Sequence, residues 1–156
     1  MMFDPTMIEN TLGFWLNRTA FLMRADLVRR FGQAGFDITA EEFAILNRVS
    51  LEGGPTQTRI SEQTFKDKTT TTRFVDRLEG KGLVERRRDP ADGRRVRVGL
   101  TAKGGKVRAA LVPIAQGLIA DTVEGIPADQ LAATMAALRR MTANLTGESA
   151  GATGNR

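Results

Sequence analysis

The spacing of apolar residues predicts helices over the N-terminal third of the chain. Between about residues 6 and 32, apolar side chains recur close to every 3.6 residues, which predicts one long helix. The two glycines of GQAGFD act as its stop signal. A second helix begins at Thr39, since Thr39 and Glu42 have the spacing of a capping box. It closes at the run of two glycines and a proline, residues 53–55.

Two shorter helical stretches follow, and the second has an unusual start. TQTRISEQTF, residues 56–65, predicts a short helix with Ile60 buried. Asp67 is a suitable N-cap for the next helix. That helix opens on four consecutive threonines, 69–72, although β-branched side chains are poor helix formers. Helical spacing from the cap predicts one apolar face, made of Thr71, Phe74, Val75 and Leu78.

The periodicity then changes from helix to strand. LVERRR and RRVRVGL alternate at period two around the turn residues DPADG, which predicts a β-hairpin over residues 83–100. Thr101 caps another helix, in which Pro113 removes a backbone donor and is expected to cause a kink or a break. Pro127 starts a last amphipathic helix at its first position. The small polar residues of 146–156 predict a disordered tail.

This order of elements predicts a fold that is mainly α with a small β-hairpin wing. Two short helices joined by a tight turn and followed by a basic hairpin are typical of a winged helix-turn-helix. The length of 156 residues suits one domain, which we place at residues 1–145. The winged lobe would occupy about residues 39–101 of it.

Charge is concentrated in the same lobe. Residues 56–108 hold 15 Lys and Arg against 7 Asp and Glu, whereas the rest of the chain holds 8 against 11. This balance favours a polyanionic partner, here double-stranded DNA, although a solvated basic face has the same composition.

The composition also argues against several classes of chemistry. The chain has no cysteine and no histidine, which argues against disulfides, a zinc centre and most hydrolytic mechanisms. We therefore expect no cofactor, no metal site and no catalytic site. No run reaches the roughly 18 apolar residues that cross a membrane, so no membrane partner is expected and a cytoplasmic location is the default.

The four threonines at the start of this helix are explained if the helix lies in the major groove of DNA. Short polar side chains let the backbone approach, hydroxyls contact phosphates or bases, and Thr methyl groups contact thymine. Arg73, on the outward face, is the candidate to hydrogen-bond the edge of a guanine base. Lys66, Lys68 and Arg77 are better suited to binding phosphates. A solvated helix surface is the alternative. The predicted residues of the recognition helix are Lys66, Lys68, Thr69, Thr70, Thr72, Arg73 and Arg77.

The hairpin tip is the second candidate for a DNA contact. Arg94 and Arg95 follow the turn at Asp92 and Gly93, where an arginine can enter the narrow minor groove. Asp92 can orient one of them through a carboxylate–guanidinium pair. A merely polar turn is the alternative.

The central segment resembles the MarR family of bacterial transcriptional regulators. The family's recognition helix runs into a VDRLE..GLV.R signature, its wing carries DP.D.R, and the segment closes with LT..G. These motifs stand here at Val75–Glu79, Gly82–Val84 with Arg86, Asp89–Pro90 with Asp92 and Arg94, and Leu100–Thr101 with Gly104. Gly93 stands where the family commonly has arginine, and the turn TFKDK lacks the family's usual glycine. The resemblance covers about residues 10–145.

The resemblance implies a homodimer that binds a pseudo-palindromic site. Its first, fifth and sixth helices would form a helical dimerisation region, here about residues 6–32 and 102–145. The apolar residues near both termini are also more numerous than the core of one small lobe needs, which favours a dimer interface. The alternative is that they pack within one chain. The predicted dimerisation residues are Met7, Ile8, Leu131, Met135, Leu138 and Leu145.

The resemblance further implies a sequence-specific transcriptional regulator, most simply a repressor released by a small ligand. Family members often respond to small aromatic or phenolic anions. Trp15 and Arg18, one helical turn apart, could line such a pocket, although a core tryptophan beside a surface arginine is the alternative. The missing cysteine and histidine argue against the family's thiol and zinc sensors.

Two other interpretations compete with a sequence-reading regulator. GLTAKGGK, residues 99–106, is only faintly similar to a phosphate loop, because Val107 stands where Ser or Thr is required, so an enzyme is not expected. The stronger alternative is a winged helix used for protein contact or for sequence-independent, architectural DNA binding. Affinity that depends steeply on salt but ignores DNA sequence would favour that alternative.

Overall fold

The computed structural model describes residues 8–64 and 66–147, and these ranges are mostly helical with one two-stranded antiparallel hairpin. This confirms the predicted fold class. After a 3₁₀ turn at Ile8–Asn10, the elements are α1 (Leu12–Gln33), α2 (Ala40–Glu52), α3 (Gln57–Thr64), α4 (Lys68–Gly80), β1 (Val84–Arg88), β2 (Val96–Leu100), α5 (Ala102–Thr122) and α6 (Ala128–Thr146).

The first helix begins later than the periodicity predicts. The Thr11 side chain accepts the Phe14 backbone N–H at 3.2 Å and forms the N-cap, so α1 starts at Leu12 and not near residue 6. The spacing of apolar residues does not reveal such a cap, because Ile8 fits the helical period although it lies in the 3₁₀ turn. Residues 1–7, with the predicted dimerisation residue Met7, lie outside the described residues.

The caps predicted for α2 and α4 are both confirmed. In α2 the Glu42 N–H donates to the Thr39 hydroxyl at 3.1 Å, and the Thr39 N–H donates to the Glu42 carboxylate at 3.0 Å. In α4 the Asp67 carboxylate accepts the Thr70 N–H at 2.8 Å and the Thr70 hydroxyl at 2.7 Å. These hydrogen bonds, the backbone one first, hold the pKa of Asp67 below its usual value. A charged cap therefore compensates for the weak helix propensity of the threonines.

The hairpin packs against the start of α3. Its strands pair in register from Val84 opposite Leu100 to Arg88 opposite Val96. The Val98 N–H also donates to the Pro55 carbonyl at 2.9 Å, which ties β2 to the segment before α3. One apolar core joins the hairpin to the helices, and its fully buried members include Phe31, Ile45, Leu46, Val49, Ile60, Val75, Leu78, Val98 and Leu111.

Gly104 is required at the start of α5 by a close backbone approach. The Thr101 hydroxyl caps α5 by accepting the Gly104 N–H at 2.9 Å, as predicted. A Cβ atom on Gly104 would lie 1.9 Å from the Leu83 carbonyl oxygen, far inside van der Waals contact. Further along, α5 continues through Pro113 without a break. A proline removes only one of the many backbone hydrogen bonds of this 21-residue helix.

By its contacts the chain divides into two compact units, one up to Leu118 and one from Ile119. In the second unit Pro127 is the N-cap of α6, one position earlier than predicted, with ψ at 144°. The helix ends at Thr146 with Gly147 in the left-handed conformation, so residue 146 is helical rather than part of a tail. The rest of the predicted tail lies outside the described residues. Across the described ranges, no helix is long and apolar enough to span a membrane.

Candidate nucleic-acid interface

The polar side of α4 presents the side chains that the sequence singles out. Thr71, Val75 and Leu78 are buried, which fixes the rotation of the helix about its axis. Thr69 and Arg73 are exposed on the opposite side, and Lys68 and Arg77 are exposed near them. The apolar face therefore aims these four predicted recognition residues at solvent, whereas Lys66, Thr70 and Thr72 are half-buried.

The hydroxyl groups of two of these threonines already have protein partners. The Thr70 hydroxyl donates to Asp67, and the Thr72 hydroxyl donates to the Lys68 carbonyl at 2.8 Å. The Thr72 oxygen also accepts a hydrogen bond from the Gln57 side-chain amide of α3. The Thr69 hydroxyl makes no hydrogen bond within residues 8–64 and 66–147. The Thr70 oxygen can still accept a hydrogen bond from a ligand, and both threonines can offer their methyl groups.

Lys66, just before α4, and the two arginines of α4 differ in their contacts. Lys66 Nζ lies 5.7 Å and Arg77 Cζ 5.8 Å from the centre of the Phe74 ring, so the ring orients both of them. The Arg73 guanidinium is exposed and forms no hydrogen bond or ion pair with the described residues, 8–64 and 66–147. Arg73 is therefore the arginine of α4 that is most available to a hydrogen-bonding ligand.

At the wing, Asp92 organises the turn. Its carboxylate accepts the Arg94 backbone N–H at 3.1 Å and lies 3.3 Å from Arg95 Nε, which is the carboxylate–guanidinium pair that the sequence predicts. Both arginines are exposed. Together with Thr56, Gln57 and Thr58 at the start of α3, they line a cleft of about 530 Å³.

Asp89 and Arg97 anchor the wing at its base, and the sequence interpretation missed this pair. Asp89 is buried, accepts the Ala91 N–H at 2.8 Å and pairs with Arg97 Nε at 2.8 Å. Arg97 also donates to the Gly54 carbonyl at 3.0 Å. The Ala91 N–H and then Arg97 hold the pKa of Asp89 below its usual value, so the carboxylate stays charged. The DP.D.R motif was the available signal, because its first aspartate is this residue.

The predicted dimerisation residues are largely accessible. Ile8, Met135 and Leu145 are exposed, Leu145 to 89%, whereas Leu131 and Leu138 are half-buried. The large apolar residues of α1 that are exposed are Leu12, Trp15, Leu16, Phe21, Leu22 and Val28.

The candidate ligand residues form an aromatic cluster with an arginine. Trp15 is 54% exposed, so the alternative of a core tryptophan is wrong. The Trp15 and Phe14 rings meet edge to face with centroids 5.4 Å apart, and Arg18 Cζ lies 6.0 Å from the Phe14 centroid. Phe14 is a member of this cluster that the sequence interpretation did not include. Within the described residues, no group of acidic side chains is placed to hold a metal ion.

The fold and this surface define a winged helix-turn-helix of the DNA-binding kind. The comparisons with known proteins agree with that class. A profile of the MarR family matches residues 38–96. The transcriptional regulator HosA of Escherichia coli is 32% identical over 105 residues, which are 67% of this chain and 78% of HosA.

Two solved structures share the fold. A structure of BpsR from Bordetella bronchiseptica, whose DNA binding is regulated by 6-hydroxynicotinic acid, matches with a TM-score of 0.80 and 25% identity, over 89% of this chain and 98% of BpsR. A cysteine-to-serine variant of MarR from Escherichia coli, complexed with operator DNA, also has a TM-score of 0.80, with 26% identity over 89% of this chain and 99% of MarR. The chain belongs to the MarR family and is a transcriptional regulator of that type.

Proposed function

We propose that this chain is a repressor that reads a pseudo-palindromic operator as a homodimer and is released by a small aromatic anion. The observation that carries the DNA-reading part is the outward side of α4, where Arg73 is exposed and has no hydrogen bond or ion pair among the described residues. It stands beside threonines whose hydroxyls are partly occupied. The MarR structure with operator DNA supports the same function. A protein that binds chromosomal DNA acts in the cytoplasm of a bacterium.

In this proposal α4 lies in the major groove and its residues have different tasks. Arg73 donates to a guanine edge, because a planar guanidinium matches the two acceptors that guanine presents. Thr69, Thr70 and Thr72 allow close approach, and the methyl groups of the last two can contact thymine. Lys66, Lys68 and Arg77 bind phosphates, which positions the helix without reading sequence.

The wing has a complementary task in the minor groove. The backbone bond from Arg94 to Asp92 shapes the turn, and the Asp92–Arg95 ion pair restrains one guanidinium. The Arg94 side chain is exposed, so we assign it to the minor groove, where the potential is most negative. The ion pair between the buried Asp89 and Arg97 keeps the base of the wing rigid beneath it.

Dimerisation is supported by the apolar surface of the terminal helices. Several exposed large apolar side chains on one helix mark an interaction site on a soluble protein. Here α1 buries only Phe31, and α6 buries none of its residues. A second copy of the chain would cover these side chains and place two α4 helices on adjacent half-sites.

Ligand release is supported by BpsR and by the Trp15 cluster. An aromatic anion such as 6-hydroxynicotinic acid offers a ring for Phe14 or Trp15 and a carboxylate for Arg18. Because Trp15 is the one tryptophan of the chain, its fluorescence reports on that position alone. We expect 6-hydroxynicotinic acid to quench it in the wild type and to do so less in Arg18→Ala. Unchanged fluorescence at millimolar ligand would contradict the assignment.

The DNA-reading function is tested by binding to the DNA upstream of the chain's own gene, with a random duplex of equal length as comparison. We expect Arg73→Ala to lose about 1–3 kcal/mol on the operator and much less on random DNA. Arg139→Ala, an exposed arginine of α6, is the matched control and should bind both like the wild type. Equal affinity of the wild type for both duplexes would instead favour the architectural alternative.

A further inference from the structure

The DNA-facing helix carries two carboxylates that are unfavourable near phosphates. Asp76 follows Arg73 by one turn on the outward side of α4, and its side chain is 58% exposed. Glu79, one turn further on, is 42% exposed. Free negative charges at these positions would repel the DNA backbone and lower affinity for any sequence.

Arg86 of β1 pairs with both carboxylates. Its Nη2 lies 2.6 Å from Asp76 Oδ1, and its Nη1 lies 2.5 Å from Glu79 Oε2. The backbone N–H of Arg86 also donates to Glu79 at 3.2 Å. The Arg86 side chain is only 24% exposed, whereas Arg87 and Arg88 beside it are exposed.

The same guanidinium reaches the third element of the lobe. Arg86 Nε donates to the Gln57 side-chain carbonyl of α3 at 3.4 Å. Gln57 in turn donates to the Thr72 hydroxyl, which donates to the Lys68 carbonyl within α4. All three nitrogens of the Arg86 guanidinium therefore have a protein acceptor, and α3, α4 and β1 are linked through one side chain.

We propose that Arg86 is a positioning residue for DNA binding, which holds Asp76 and Glu79 at the base of the wing and neutralises their charge. It acts through these carboxylates and does not itself contact DNA. The inference rests on the proposed DNA-binding function and explains how the basic surface tolerates two acidic residues on its recognition helix.

A double-mutant cycle tests this assignment. DNA affinity is measured for the wild type, Arg86→Ala, the pair Asp76→Asn with Glu79→Gln, and the triple variant, on the upstream DNA and on the random duplex. We expect Arg86→Ala to weaken binding to both duplexes at least about tenfold, because two carboxylates become free. We expect the triple variant to bind within about threefold of the pair, because Arg86 then has no charge to neutralise.

Arg88→Ala is the matched control, since it removes the same charge from the same strand at an exposed position. Its effect should be equal in the wild type and in the background of the neutralised pair. If Arg86 binds a phosphate directly, its removal will weaken binding in both backgrounds and lower the salt dependence by about one counterion, which overturns the proposal. Thermal unfolding of each variant shows whether it folds. If Arg86→Ala does not fold, Arg86→Lys replaces it. Because a lysine can pair with only one carboxylate at a time, we expect this variant to lose an intermediate amount of DNA affinity.

The two possible failures are distinguishable. Equal wild-type affinity for the two duplexes contradicts sequence reading, but the Arg86 cycle can still be measured on either duplex. Absence of coupling between Arg86 and the carboxylates contradicts the Arg86 inference while leaving a sequence preference of the wild type intact. A wild type that binds neither duplex overturns both.

Discussion

The winged lobe and the terminal helices use apolar residues in opposite ways. In α2, five of 13 residues are buried, among them Phe43, Ile45, Leu46 and Val49. In α1, one of 22 residues is buried, and in α6 none of 19. Both kinds of helix have apolar residues at helical spacing, so the spacing alone does not tell whether a face is covered within the chain.

The difference shows where each region obtains its stability. The lobe packs its helices and hairpin around side chains that are fully inaccessible, such as Ile60 and Leu78. The exposed apolar side chains of α1 and α6 lose little water contact within one chain, so in the proposed dimer their contribution would come from contact with a second copy. Core substitutions should therefore lower stability directly, whereas substitutions on α1 should act through self-association.

The largest loss of stability is expected from a substitution in the core of the lobe. Leu78→Ala should lower the free energy of unfolding by about 2–5 kcal/mol, because it leaves a cavity beneath α4. Leu51→Ala, at a leucine of the same lobe that is 72% exposed, should change it by less than about 0.5 kcal/mol. Chemical denaturation at constant protein concentration measures both, and equal losses would contradict the proposed distribution of stability.

A second test concerns the backbone contact between α5 and the hairpin. Gly104→Ala should destabilise the chain by about 1–3 kcal/mol, because its Cβ meets the Leu83 carbonyl. Gly105→Ala is the matched control, since a Cβ there has nothing within 4 Å and alanine favours a helix. It should be neutral or slightly stabilising in the same denaturation experiment. A neutral Gly104→Ala would show that the close approach does not exist in solution.

The apolar face of α1 can be tested by self-association. Leu12→Ala removes a side chain that is 54% exposed in one chain, and we expect it to weaken dimerisation by about tenfold, or 1.4 kcal/mol. Sedimentation equilibrium over a range of concentrations gives the dissociation constant. Leu51→Ala should leave that constant unchanged, and a wild type that stays monomeric at all concentrations would refute the dimer.

The smallest effect is expected at the base of the wing and depends on pH. The pKa of Asp89 is lowered in the folded chain, so its stabilising contribution is present above the unfolded value of 3.8 and is lost as the pH falls through the lower folded pKa. Asp89→Asn should therefore unfold at a lower temperature than the wild type at pH 7, and the difference should shrink below about pH 4. A difference independent of pH would assign the effect to hydrogen bonding rather than charge.

Features set by neighbours in the chain were predictable from the sequence. The capping box at Thr39 and Glu42, the Asp67 cap and the hairpin turn all form between residues within a few positions of each other. Thr11 is the exception, because its cap is equally local but apolar spacing concealed it. The motif around α4 and the wing was long enough to indicate the family, which the relatives confirm.

Contacts between elements distant in the chain determine which polar side chains remain available to a ligand. Arg73 and Arg86 are both arginines in a basic segment, but Arg86 meets Asp76, Glu79 and Gln57 only because β1 folds back against α3 and α4. Gly104 likewise matters only because α5 passes within contact of Leu83. Such contacts join residues far apart in the chain, with 29 positions between Gln57 and Arg86 and 43 between Gly54 and Arg97. The elements, the basic lobe and the family could be predicted from the sequence, since they depend on local interactions and composition. The pairing of charges and the exposure of Trp15 depend on distances that exist only after packing.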